Sequence, residues 1–187
     1  MATYFIGDMH VGHKNVLKFD SRPFKSIEEH DNFLFDNWNN LINDDDDVYI
    51  LGDFSWTSPS ETVKYFEQLK GNKHLIVGNH DSKLLKNAAV RKLFVEIKDR
   101  KELRLDDKTT IILDHYPSPC FKNHMRGWYH LYAHVHNSAE WDMMEEIRGN
   151  FESKNIKCEM YNVGCMMTYI NYKPRTLQEI IDGYKNL

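Results

Sequence analysis

The chain has 187 residues and a net charge of -4, with 41% hydrophobic and 13% aromatic residues. That length and apolar content suit a single domain over residues 1–187 with a sizeable core. The acidic balance excludes a surface coated in basic residues for duplex binding, while leaving room for a local nucleic-acid substrate.

Thr3 to Gly7 reads as a strand. The stretch Met1 to Asp8 is too short, and lacks the basic start, for a signal peptide. No run approaches a membrane span, so a cytoplasmic protein without a membrane partner is expected. Ser26 and Glu29 have capping-box spacing, and Ile27, His30, Leu34, Trp38 and Leu41 form a helical packing stripe. Val48 to Leu51 is a second strand, Ser60 to Leu69 a helix, and Leu75 to Val77 a third strand. Phe94 to Lys98, Glu102 to Leu105, Thr109 to Leu113 and Tyr129 to Ala133 read as further strands, with a hairpin turn at Asp106-Asp107-Lys108. Glu140 to Phe151 has a weak helical pattern. Met160 to Val163 and Met166 to Tyr172 read as a strand pair around Gly164, and Thr176 opens a closing helix. The order predicts parallel βαβ units followed by an antiparallel part. Cys120, Cys158 and Cys165 are expected as reduced, buried thiols.

Five polar stretches stand at strand ends, where ligands collect in open α/β sheets. They carry Asp8 and His10, Asp53, Asn79 and His80, His115, and His134 and His136. Five of the ten histidines fall in this set. Residues two apart on a strand share a face, so Asp8 with His10, or His134 with His136, reach one ion together. Imidazole and carboxylate donors suit manganese, iron, zinc or nickel. Their number exceeds what one ion takes. Two divalent ions sharing a carboxylate, about 3.5–4 Å apart, fit the inventory and act as a clamp on phosphate esters. Such a site stays cationic and attracts phosphate even in an acidic protein.

Asp8-x-His10, Gly52-Asp53, Gly78-Asn79-His80-Asp81, His115 and His134-x-His136, in that order, resemble the five motifs of the calcineurin-like metallophosphoesterases. The likeness runs from Asp8 through Asn162-Val163-Gly164. Asp8-x-His10-x-Gly12-His13 and Arg22-Pro23-Phe24 look most like the compact bacterial and phage members. The resemblance implies a four-layer α/β/β/α sandwich, two mixed sheets flanked by helices. It implies a first metal at Asp8, His10 and His136, a second at Asn79, His115 and His134, and Asp53 bridging both. It further implies in-line attack by a metal-activated hydroxide, with His80 as general acid and Asp81 orienting His80 or its loop. Manganese is the favoured metal. Two positions depart from the pattern: Ala133 replaces a common glycine, and Cys165-Met166-Met167 stands where many relatives carry an acidic residue near substrate.

A phosphodiesterase is favoured, acting on a phosphate ester that includes nucleotides and nucleic acid among its candidates. A phosphomonoesterase, a nucleotide pyrophosphatase and a non-catalytic metal-binding interaction module are the alternatives. His13, Arg22, His124 and Arg126 are the candidate phosphate contacts. Trp56, Tyr116, Phe121, Trp128 and Tyr129 are aromatics that either stack on a base or pack the fold.

Overall fold

Short apolar strands, each followed at once by polar residues, set the architecture. In the computed structural model, which describes residues 1–187, β1 (Thr3–Ile6), β2 (Asp47–Leu51), β3 (Asn72–Ile76) and β4 (Glu96–Lys98) form one sheet in that order. Every pairing in it is parallel. Val48, Tyr49, Ile50 and Leu51 of β2 are all buried, as expected of a parallel strand covered on both faces. Crossovers carry α1 (Val16–Phe19), α2 (Ile27–Leu41), α3 (Pro59–Phe66) and α4 (Ala88–Arg91).

The chain passes directly from β4 into the second sheet, ordered β5 (Arg100–Arg104), β6 (Thr110–Asp114), β7 (Tyr129–Tyr132) and β8 (Glu159–Asn162). Side chains alternate across it. Ile111, Leu113, Leu131 and Tyr161 join the first sheet in a core of 34 buried residues. Ile112, Tyr132 and Met160 face the other way, into a smaller cluster on which Trp141, Met144 and Phe151 of α5 (Ala139–Ser153) pack. On the first sheet's side, α2 and α3 bring Leu34, Trp38 and Phe66 into the large core. The result is the expected helix–sheet–sheet–helix sandwich. Capping fixes where the helices begin. Ser26 accepts from the Glu29 amide, Ser58 forms a full capping box with Glu61 ahead of Pro59, and Thr176 does the same with Glu179 at the start of α6 (Leu177–Lys185).

Four details differ from the sequence reading. The first sheet is parallel throughout, so only the second is mixed. Within the second, β5 alone is antiparallel; β6, β7 and β8 run parallel. The connections from β6 to β7 and from β7 to β8 exceed roughly a dozen residues, the length a parallel crossover needs. Met166 to Tyr172 is a series of tight turns, with the amide of Ile170 donating to Met167 and that of Tyr172 to Cys165. Asn171 and Tyr172 adopt positive φ there. Met166, Met167, Ile170 and Tyr172 are buried nonetheless, so the apolar run marks core rather than strand. Cys158 and Cys165 are buried free thiols as expected, whereas Cys120 is exposed.

Candidate metal centre

β1, β2, β3, β6 and β7 all end at one place. Backbone bonds knit these ends together: the Asp8 amide donates to Gly52 (3.1 Å) and the His10 amide to the Asp53 carbonyl (2.9 Å). A Cβ on Gly52 would lie 2.4 Å from His115 Nδ1 and 2.7 Å from Gly78 Cα, so three strand ends meet where only glycine fits. Asp8, His10, Asp53, His134 and His136 all have positive φ, between 50° and 68°. That conformation costs on the order of 1 kcal/mol or more for each non-glycine residue. Five of the ten non-glycine residues with positive φ are thus residues picked out from the sequence. Ala133 does not adopt it.

Asp53 is the hub. Its Oδ2 lies 3.7 Å from Nε2 of His10, 3.7 Å from Nε2 of His115 and 4.0 Å from Nε2 of His80. Its Oδ1 accepts from the His80 amide at 3.0 Å, which fixes the carboxylate plane. On one side of Asp53, the Nε2 atoms of His10 and His136 are 3.3 Å apart, and His136 Nε2 is 3.9 Å from Asp8 Oδ2. On the other, Asn79 Oδ1 lies 2.9 Å from His115 Nε2 and 3.0 Å from His134 Nδ1. Two sets, Asp8–His10–His136 and Asp8–Asp53–His115, have donor atoms within 4.8 Å of one another.

The residues fit metal ions. Both carboxylate oxygens of Asp8 are buried without a hydrogen-bond partner, an arrangement that strongly disfavours an ionised carboxylate unless a cation joins it. Accordingly, burial raises the Asp8 carboxyl above its usual range. His115 Nδ1 lies 2.8 Å from the Leu51 carbonyl, which only an N–H can satisfy. In the neutral ring this leaves Nε2 as an acceptor facing the acceptor Asn79 Oδ1. A shared cation satisfies both. Burial, reinforced by Arg22 and neighbouring histidines, holds His10 well below the ordinary imidazole range, in the neutral form that binds metal.

Asp81 is buried and accepts from the amides of Gly78 (2.7 Å), Asp53 (3.0 Å) and Phe54 (3.2 Å). Of the two roles expected for it, it fills the one of holding the loops, since none of these bonds reaches His80. His13 lies beside the centre, its ring 5.7 Å from that of His10 and stacked at 4.2 Å on Trp56.

Arg22 is not a phosphate contact. Its side chain is buried and turned onto the protein's own groups: Nη2 donates to the Asp8 carbonyl (2.8 Å), Nη1 to the Met9 carbonyl (3.1 Å), and Nε to Asp20 (2.7 Å), with His30 at 2.8 Å. Asp20, which the sequence did not single out, lies 3.2 Å from His136 Nδ1. Burial lowers His136, but Asp8 and Asp20 outweigh it and hold the imidazole above its ordinary value. Arg126 and His124 sit in a short 3₁₀ turn, His124–Arg126, just before β7. The His124 ring contacts the Lys157 carbonyl ahead of β8. Both residues therefore stand at the strand starts, the opposite edge from the metal centre. Asn162 is a further supporting residue, its amide donating to the His136 carbonyl at 2.8 Å. Cys165 and Met167 pack in the core.

The family model for calcineurin-like phosphoesterases matches residues 1–154. The chain belongs to that family. An uncharacterized protein of Methanocaldococcus jannaschii is 31% identical over 95% of this chain and 88% of its own length. The Gene 66 protein of Mycobacterium phage L5 is 30% identical over 62% of this chain and 63% of its own. A solved structure of an Aquifex aeolicus protein of unknown function superposes with a TM-score of 0.64, covering 96% of this chain and 97% of that one at 24% identity; it shows a shared fold. Membership of the calcineurin-like phosphoesterases implies metal-dependent hydrolysis of phosphoesters, and the Asp and His clusters are candidate ligand groups for divalent ions. No helix of this phosphoesterase is long and apolar enough to cross a membrane.

Proposed function

We propose that the protein is a two-metal phosphodiesterase with Asp53 as the shared ligand. The observation that carries this reading is the convergence of three histidine Nε2 atoms on Asp53 Oδ2 within 4.0 Å. Asp8, His10 and His136 would hold one ion, and Asn79, His115 and His134 the other. When bound, the ions supply Lewis acidity toward phosphoryl oxygens and lower the pKa of a water nucleophile. Manganese is the first metal to test, since mixed oxygen and imidazole donors suit it.

The chain's own part is positional. His80, with its side chain 44% exposed, is the one histidine of the centre open enough to meet a leaving group. Its amide bond to Asp53 and the edge-on Trp56 ring, 4.6 Å away, set its direction. From there it donates the proton that an alkoxide leaving group requires. A diester is favoured over a monoester on charge. A monoester brings a second negative charge, yet the one arginine at the centre is consumed by backbone carbonyls and Asp20. Manganese-loaded protein assayed on bis(p-nitrophenyl) phosphate beside p-nitrophenyl phosphate tests the assignment. Preferential turnover of the diester supports it, and preferential turnover of the monoester makes the protein a phosphatase.

A further inference from the structure

Nine large hydrophobic side chains are exposed on the whole molecule, and three of them ring the metal centre: Phe19 at 61%, Trp56 at 45% and Tyr116 at 46%. They form two walls on different ligand groups. On the side of His10 and His136, Trp56 stacks on His13 and packs edge-on against His80, while Phe19 lies 5.6 Å from His13 and 5.9 Å from His136. On the side of His115 and His134, Tyr116 packs edge-on against both rings, at 5.1 Å and 4.5 Å. The other aromatics of the sequence reading are placed elsewhere: Phe121 is in the smaller core, and Trp128 takes a cation–π contact from Lys122. Exposing aromatic surface to water is unfavourable unless something covers it, and a cluster confined to the rim of a site marks a ligand. The two walls flank the metal centre, one on the His10 and His136 side of Asp53 and the other on the His115 and His134 side.

Resting on the phosphodiesterase reading, we propose that the substrate is a short single-stranded nucleotide diester, with one base against the Trp56–Phe19 wall and the other against Tyr116. Aromatic faces accept any base, so the walls select for bases without reading sequence. The net charge of -4 and the engaged Arg22 leave little to track a long phosphate backbone, which limits the site to a few nucleotides. The test compares kcat/KM of manganese-loaded enzyme on adenylyl-(3′,5′)-adenosine with that on the two diesters lacking one base or the other. It adds the binding ratio of adenosine 5′-monophosphate to ribose 5-phosphate. We expect each base to be worth about tenfold in the wild type, the size of one base–aromatic stack. Trp56→Ala and Tyr116→Ala should each abolish the preference for a different one of the two bases, and Trp56→Phe and Tyr116→Phe should retain it. Ratios are read within one variant, so a general loss of activity does not obscure them. Equal turnover with and without bases, or preferences untouched by either alanine, overturns the inference and leaves the diesterase intact. Failure to cleave any diester, with monoesters turned over instead, removes both.

Discussion

Asp20 Oδ2 stands 3.2 Å from Nδ1 of His136 and accepts a 2.7 Å hydrogen bond from Nε of Arg22. The same guanidinium holds the carbonyl of Asp8 through Nη2. One buried cation thus bonds both the Asp8 carbonyl and the Asp20 carboxylate, and that carboxylate stands at ion-pair distance from His136, the second residue proposed to share an ion with Asp8. A carboxylate behind a ligating histidine fixes the ring's orientation and raises its basicity. We expect Asp20→Asn to weaken manganese binding about 10- to 100-fold at one of two sites, read by calorimetric titration of metal-free protein. Unchanged affinity at both sites would show that His136 needs no such support.

Arg22→Met separates a structural arginine from a phosphate-binding one. It strands Asp20 and two carbonyls in the interior, and breaking a buried pair of this kind costs about 3–5 kcal/mol. Urea denaturation of the metal-free protein should show that loss. A variant with wild-type stability and only a raised KM would return Arg22 to the substrate.

For Asp53→Asn we expect loss of activity together with loss of metal. The amide retains the shape but removes the charge that three histidine nitrogens surround, so bound manganese measured by elemental analysis should fall below two per chain. Full metal content in an inactive variant contradicts a bridging role.

His80→Ala addresses proton donation. General acids contribute about 100-fold or more, and the benefit disappears when the leaving group needs no proton. The variant should bind both metals, lose about 100-fold on a diester with an alkoxide leaving group, and lose far less on bis(p-nitrophenyl) phosphate. Equal losses on both substrates would assign His80 to phosphate binding instead.

The metal-centre residues were legible because each follows directly on an apolar strand, and that local pattern survives folding. Strand direction was less legible. Whether β6, β7 and β8 run parallel depends on crossovers, and α5 between β7 and β8 shows only a faint apolar stripe. Arg22 misled because a polar residue before proline looks exposed, while the groups that bury it, the carbonyls of Asp8 and Met9, belong to backbone and leave no sequence mark. Asp20 was invisible for a related reason: its partner His136 is 116 positions away. Met166 to Tyr172 shows that an apolar run reports burial more dependably than conformation.

His130 should govern part of the acid stability. It is fully buried in β7, with Nδ1 3.0 Å from the Ile112 carbonyl and Nε2 accepting from the Ser118 amide at 3.1 Å. This pins the loop that follows His115, and it requires the neutral ring, because a protonated Nε2 repels the Ser118 N–H. Burial lowers His130 from 6.5 to about 4, outweighing the Ile112 carbonyl and Asp114, which act to raise it. Between those values the unfolded chain binds a proton that the folded chain refuses. The contribution is therefore whole above pH 6.5 and is lost as pH falls toward 4, amounting to about 3 kcal/mol at the limit. Urea unfolding of wild type and His130→Gln at intervals from pH 7.5 to 4.5 isolates it. The variant should be the less stable protein at pH 7.5, with the gap closing or reversing by pH 4.5. A gap that stays constant with pH would mean that His130 titrates alike in the folded and unfolded chain, and that Ser118 is held by something other than the neutral imidazole.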